Sequence, residues 1–118
     1  MLTLHGIPNC GSMKKARAWI DERGVDYAFH DYRKVGVGRA MLDRWADAVG
    51  WEALLNRAGT TFRGLSDADK ADIDRDKAIA LMLAHPSLIK RPVIEGAIGD
   101  RDVLLVGFKP DSYAGTFA

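Results

Sequence analysis

Residues 2–30 constrain the fold more than any other stretch of this chain. Leu2-Thr3-Leu4-His5 alternates apolar and polar side chains, the period of a half-buried strand. Pro8 and Asn9 then mark a loop. From about Ser12 to Arg23 apolar residues recur at helical spacing, with Met13, Ala16 and Trp19/Ile20 on one side and Gly24 as the stop. Val25-Asp26-Tyr27-Ala28-Phe29-His30 alternates again and reads as a second strand. These elements predict a βαβ unit with parallel strands and a right-handed crossover.

The middle of the chain is helical. Gly38 to Val49 carries Met41, Leu42, Trp45 and Val49 on one stripe, and Gly50 ends it. A short piece with Trp51, Leu54 and Leu55 follows, and Ala58-Gly59-Thr60-Thr61 breaks the pattern. Ser66-x-x-Asp69 is a capping signal, and Asp74 starts a longer helix that reaches His85, where Pro86 halts it. The Asp-rich stretch 67–76 reads as a solvated helix face with charges near helix starts, not as a metal site. The tail returns to β pattern: Arg91–Glu95 and Val103–Gly107 predict an antiparallel hairpin around a Gly/Asp turn. Lys109-Pro110 opens a last helix, with Tyr113 and Phe117 four apart for packing.

At 118 residues the chain suits one compact domain, 1–118, large enough to bury a core without staples. Hydrophobic content of 47% and charged content of 28% are ordinary for a globular protein. The formal charge of +1 gives no overall field that would favour nucleic acid or an anionic membrane. A single cysteine excludes an internal disulfide, an internal dithiol couple and a cysteine-rich metal site. No charged leader precedes a long apolar stretch, and no apolar run approaches membrane-spanning length, so a cytoplasmic setting is expected.

That cysteine, Cys10, falls in the loop between the first strand and the first helix. Unpaired N–H groups and partial positive charge at a helix start favour thiolate over thiol, and Lys14, Lys15 and Arg17 add positive charge nearby. The plainer reading is a small buried hydrophobe, but Pro8 and Asn9 place Cys10 in a loop and favour the activated thiol. The amides of Gly11, Ser12 and Met13 are candidates for an anion-binding nest, with Asn9 beside them. Ser12 has two readings, a hydrogen bond to the thiolate or an N-cap. His5 belongs to the strand and reads as structural. His30 and His85 show no partner spacing, so no zinc centre is expected. A second clue is Arg91-Pro92 at a strand head, where a proline is tolerated for lack of a ladder donor. The arginine there is either an ordinary surface residue or a fork for a carboxylate or tetrahedral oxyanion.

The order βαβ, helical insert (about 38–86), ββα is, without the insert, the α/β thioredoxin-like (glutaredoxin-like) arrangement with a mixed four-stranded sheet. The fold likeness implies a cis proline at Pro92 facing the cysteine loop, leaving the Arg91 backbone open to a bound thiol peptide.

The chain resembles the arsenate reductase/Spx/YffB family. The resemblance rests on Gly6-Ile7-Pro8-Asn9-Cys10 followed by Lys14-Lys15-Ala16, on His30-Asp31-Tyr32-Arg33-Lys34, on Leu54-Leu55-Asn56-x-x-Gly59-Thr60-Thr61, and on His85-Pro86-Ser87-Leu88-Ile89-Lys90-Arg91-Pro92-Val93. It covers nearly the whole length and is closest to the YffB group. It implies Cys10 as nucleophile and Arg91 beside it. Two further oxyanion-binding arginines of the glutaredoxin-coupled arsenate reductases fall at Asn56, with Arg57 next along, and at Lys109. The histidine those enzymes carry just before the cysteine falls at Gly6. The implied activity is a glutathione-dependent thiol reductase, with glutathione as co-substrate and no bound cofactor. The alternative is an arsenate reductase coupled to glutathione or glutaredoxin. The implied substrate is a small oxyanion or a mixed disulfide. A third reading, a Spx-like regulator that binds RNA polymerase, is weakened because Met13 stands where the Cys-x-x-Cys switch needs its second cysteine.

Overall fold

The structure, a computed structural model, describes residues 2–8 and 11–117. In chain order its elements are β1 (Leu2–Gly6), α1 (Gly11–Glu22), β2 (Tyr27–Asp31), α2 (Tyr32–Val35), α3 (Arg39–Val49), α4 (Trp51–Leu54), α5 (Thr60–Arg63), α6 (Asp67–Lys70) and α7 (Arg75–Ala84). A 3-10 turn at Pro86–Leu88 follows, then β3 (Val93–Ile98), β4 (Arg101–Val106) and α8 (Pro110–Phe117). Two compact units divide the chain, one of Met1–Val35 with Arg91–Ala118, the other Gly36–Lys90.

The first unit holds a four-stranded sheet in the order β2-β1-β3-β4. β1 pairs parallel with β2, placing His5 beside His30 and Gly6 beside Asp31. β1 pairs antiparallel with β3, His5 beside Val93, and β3 pairs antiparallel with β4. One parallel pair joined to two antiparallel ones is the mixed sheet of a thioredoxin-like fold. Leu2 and Leu4 from one face of β1 pack with Met13, Ala16 and Ile20 of α1, Ile94, Val103 and Tyr113. Full burial of each large apolar side chain contributes about 2 kcal/mol relative to leaving it in water. Trp19, Phe108 and Tyr113 meet edge-on at 5.0–6.3 Å, the favoured aromatic geometry.

α1 stops as its sequence directs. Gly24 takes φ +67, its N–H bonds Asp21 O at 3.1 Å, and Val25 N–H reaches Ile20 O at 3.3 Å. That pair of bonds is a Schellman motif, which requires the left-handed conformation glycine adopts at no steric cost. At the other end of the sheet, Gly99 and Asp100 join β3 to β4 in two residues, with positive φ at Gly99 and not at Asp100. This is the type II′ pattern that matches strand twist.

The second unit is helical. Leu42, Trp45, Leu54, Ile79, Met82, Leu88 and Ile89 are all sealed from water. Leu55 and Ile89 form an isolated bridge, flanked by Asn56 N–H to Leu88 O at 2.7 Å and Lys90 N–H to Leu54 O at 2.8 Å. Both predicted caps form: Ser66 Oγ accepts from Asp69 N–H at 3.1 Å, and Asp74 Oδ1 from Lys77 N–H at 2.9 Å.

Four details differ from the sequence reading. Thr60–Arg63 makes one helical turn where a break is expected, and Tyr32–Val35 makes another directly after β2. Pro86 opens a 3-10 turn, because its missing N–H costs nothing at a first helical position. β3 and β4 begin at Val93 and Arg101 and so run in register from the turn itself. Tyr113 is buried as expected, while the side chain of Phe117 lies outside the described residues. Among the described residues no helix is long and apolar enough to cross a membrane.

Candidate functional site

Several of the sequence-predicted residues fall at one end of the sheet, and strand register puts them there. β1 and β2 both finish at that end, at Gly6 and Asp31, while β3 begins there. Because His5 pairs with Val93, Pro92 comes level with Gly6, where β1 runs out toward the Cys10 loop. β4 also ends there, with Gly107 N–H donating to Pro92 O at 2.8 Å. In an α/β sheet the carboxyl ends of the parallel strands are where ligands bind.

Asn9 and Cys10 lie outside the described residues. Gly11, Ser12 and Met13 form the first turn of α1, whose leading N–H groups have no partner within the helix. Gly11 and Ser12 are exposed, whereas the Met13 side chain is wholly buried. A Cβ at Gly6 would overlap Met13 Sδ and come within 2.7 Å of Cε. A side chain at Gly6 would therefore force the buried end of Met13 to move.

Arg91 is half-buried, and its peptide bond to Pro92 is cis. Pro92 is buried. Lys109 is exposed one residue ahead of α8, and its carbonyl accepts Tyr113 N–H at 3.0 Å. Asn56 and Arg57 belong to the second unit. The Asn56 carboxamide oxygen accepts Ala58 N–H at 3.1 Å, which gives it a turn-forming role of its own. Arg57 is exposed, with its guanidinium 5.5 Å from the Trp51 ring centroid.

Sequence reasoning missed a polar group behind β1. Thr3 and His5 alternate away from the Leu2/Leu4 face, and the strand register brings His30 and Glu95 to that same face. His5 Nδ1 is 2.6 Å from His30 Nδ1, and His5 Nε2 is 3.1 Å from Glu95 Oε1. His5 is only 5% exposed. Tyr32 lies nearly parallel to the His5 ring at 6.5 Å and edge-on to His30 at 5.8 Å. Its hydroxyl is buried without a hydrogen-bond partner among the described residues. Burial holds the phenol protonated far above its ordinary range; Arg91 opposes that shift and Glu95 adds to it. Arg91 and Glu95 are thus both in electrostatic reach of Tyr32. The one available signal was the strand alternation of His5 and His30, each out of phase with its apolar neighbours.

Among the described residues no group of three His, Cys, Asp or Glu side chains is arranged to hold a metal ion.

Comparison with known proteins agrees with this layout. A solved structure of a YFFB protein is 57% identical, covers all of both chains and superposes with a TM-score of 0.91. The arsenate reductase of Rhizobium meliloti is 28% identical across 99% of this chain and 87% of its own. The global transcriptional regulator Spx of Streptococcus pyogenes is 30% identical across 94% of this chain and 81% of its own. The ArsC family model matches residues 5–116, from the histidine of β1 to the last turn of α8. With the sheet order, the Arg91–Pro92 cis bond and that near-complete match together, this chain belongs to the ArsC family.

Proposed function

We propose that this chain is a thiol oxidoreductase that works through Cys10 and takes glutathione as its co-substrate. The observation that carries the reading is the strand register that sets the end of β1, four residues before Cys10 in sequence, level with cis-Pro92 at one end of the sheet. The start of α1 offers N–H groups and partial positive charge to a thiolate. Arg91 offers a fork that suits a carboxylate of glutathione.

The reaction runs in two exchanges. The Cys10 thiolate attacks the glutathione sulfur of a mixed disulfide; a new S–S bond joins Cys10 to glutathione, and the substrate leaves as its thiolate. A second glutathione thiolate then attacks the glutathione sulfur of that adduct, giving oxidised glutathione and returning Cys10 as thiolate. The chain has one cysteine, so the resolving thiol comes from outside.

Arsenate is the rival substrate, favoured by the likeness to the Rhizobium meliloti arsenate reductase. The departures at Asn56 and Lys109 weigh against it, since asparagine brings no charge and lysine no bidentate fork. The Spx likeness carries less, because Met13 occupies the place of a second cysteine and its side chain is fully buried.

The test is mass spectrometry of the protein mixed with oxidised glutathione at neutral pH. A single glutathione adduct on Cys10, reversed by added glutathione and absent in Cys10→Ser, is expected. A Cys10 that stays unmodified removes the reading. Turnover of arsenate with glutathione and glutaredoxin, faster than reduction of a mixed disulfide, would put the rival substrate first.

A further inference from the structure

We propose that Glu95, His5 and His30 form a proton-loading site that holds one proton at a time and, when loaded, strengthens anion binding at Arg91. The loading is argued from the geometry of these three side chains; the effect on anions rests on the reading of Arg91 given under Proposed function.

The geometry limits the proton count. At 2.6 Å, one of the two facing Nδ1 atoms of His5 and His30 carries hydrogen and the other accepts it. Two facing N–H groups would leave both donors without an acceptor, so this geometry excludes a doubly charged pair. In the unloaded state His5 Nε2–H donates to Glu95 and His30 Nδ1–H donates to His5, which leaves His30 Nε2 bare. A proton arriving at His30 Nε2, on the half-buried ring, lets the Nδ1 proton cross to His5. His5 then stands as imidazolium between the Glu95 carboxylate and a neutral His30. No heavy atom moves, and the sum over the three groups goes from −1 to 0.

Other elements also bring groups to this face. Tyr32 comes from α2, and its phenol stays neutral. Arg91 comes from the segment ahead of β3, and both it and Glu95 act electrostatically on the Tyr32 hydroxyl. Opposite Glu95, β4 presents Leu104, which does not titrate, and two residues before it the exposed Asp102, opposite Ala97 on the same face. Asp31 follows His30 in β2 and alternates to the other face. The Met13, Ala16 and Ile20 side of α1 packs on that other face and is apolar. Loading therefore removes one negative charge from the neighbourhood of Arg91. That change raises the guanidinium's affinity for an anion several-fold once solvent and salt screening are allowed for.

Long-range proton–nitrogen NMR of the labelled full chain between pH 5 and 8.5 tests the loading. His85, exposed in the second unit, serves as the internal reference. The nitrogens of His5 and His30 should move together in one transition that takes up a single proton. In Glu95→Gln, with folding checked by the amide spectrum, that transition should move to lower pH, because the neighbouring negative charge is gone. Independent titration of the two rings, no titration of either, or an unmoved transition in Glu95→Gln overturns the proposal.

Sulfate, whose charge is constant over this range, tests the effect through the Arg91 Nε–H signal. In Cys10→Ser, which removes the thiol's own ionisation from the same end of the sheet, binding should be several-fold tighter at pH 6 than at pH 8. Equal binding at both values overturns the link to Arg91. No sulfate response at either pH, with the rings still titrating as one, removes the anion-holding role of Arg91 and the link with it.

Discussion

The two units of this chain handle charge in opposite ways. In the sheet unit, ionisable side chains are drawn into a hydrogen-bonded row behind β1, with Glu95 at 3.1 Å and His30 at 2.6 Å from a His5 that water barely touches. In the helical unit the core is apolar, and the charges stay outside. Arg75 reaches Asp47 at 2.8 Å and Asp43 at 3.6 Å, and Arg39 reaches Asp43 at 3.8 Å and Asp76 at 3.5 Å, all on side chains 40–88% exposed. Exposed pairs gain little, because water and salt screen them and two long side chains must be held still. A buried polar row is held firmly, since removing one member leaves another without a partner and without water. The chemistry-bearing unit accepts that cost; the helical unit avoids it.

The largest effect should come where neither unit holds charge. Trp45 is fully buried in the helical unit, and Trp45→Ala should cost about 3–5 kcal/mol of stability through lost contacts and the cavity left behind. Urea unfolding reads this as a lower midpoint. A loss below about 1 kcal/mol would mean that the helical unit is not held by its apolar core, and the contrast between the units would fail.

Alkali should produce the next largest effect, and only through phenols that are buried. Burial raises the pKa of both Tyr32 and Tyr113 above the ordinary value of 10.0. Above pH 10 the unfolded chain therefore gives up two protons that the folded chain keeps. Their stabilisation is fully present below pH 10 and declines as pH rises toward the folded-state values. At pH 11 the combined loss is about 3 kcal/mol, read as the urea midpoint at pH 9 against pH 11 in constant salt. Tyr113→Phe should shrink the difference by about half. An unchanged difference in that variant would show that the alkaline loss comes from elsewhere.

A smaller step compares the units directly. Glu95→Ala removes the acceptor from a buried His5 N–H and should cost about 1–3 kcal/mol at pH 7. Glu95 itself keeps 21% side-chain exposure, which places the value toward the lower end of that range. If the urea midpoint moves no further in Glu95→Ala than in Asp47→Ala, the buried row is no firmer than the surface pairs.

These experiments bear on what a sequence discloses. The βαβ start, the Gly24 stop, the Ser66 and Asp74 caps and the closing hairpin all follow from local chemistry: period, cap and turn residue act within a few positions. The cis bond at Arg91–Pro92 was expected from the thioredoxin-like arrangement and not from local sequence. The row behind β1 did not show itself. Its members stand 25 and 90 residues apart in sequence, and only the parallel register of β1 with β2 and the antiparallel register of β1 with β3 bring them side by side. A lone histidine in a strand reads as structural until its cross-strand neighbours are known. Asn56 shows the reverse case. Its place in a motif suggested a ligand contact, and its carboxamide oxygen also accepts Ala58 N–H in a turn, a local role that side-chain identity alone does not separate from binding.

The smallest expected effect is the sharpest check on the contrast. Arg75 is the best-connected cation among the described surface charges, with carboxylates of Asp43 and Asp47 and the Asp43 carbonyl, at 3.2 Å, all in reach. The hydrogen bond to Asp47 is the first cause holding its charge firmly in place. Yet it sits at the first position of α7, where the helix dipole disfavours a cation, and its partners are bathed in water. The two influences oppose each other. Arg75→Ala should leave the urea midpoint within the scatter of repeated measurements, in low salt as well as high. A clear drop in low salt that vanishes in high salt would mean that surface pairing contributes to the helical unit after all, and that its charges differ from those of the sheet unit only in degree.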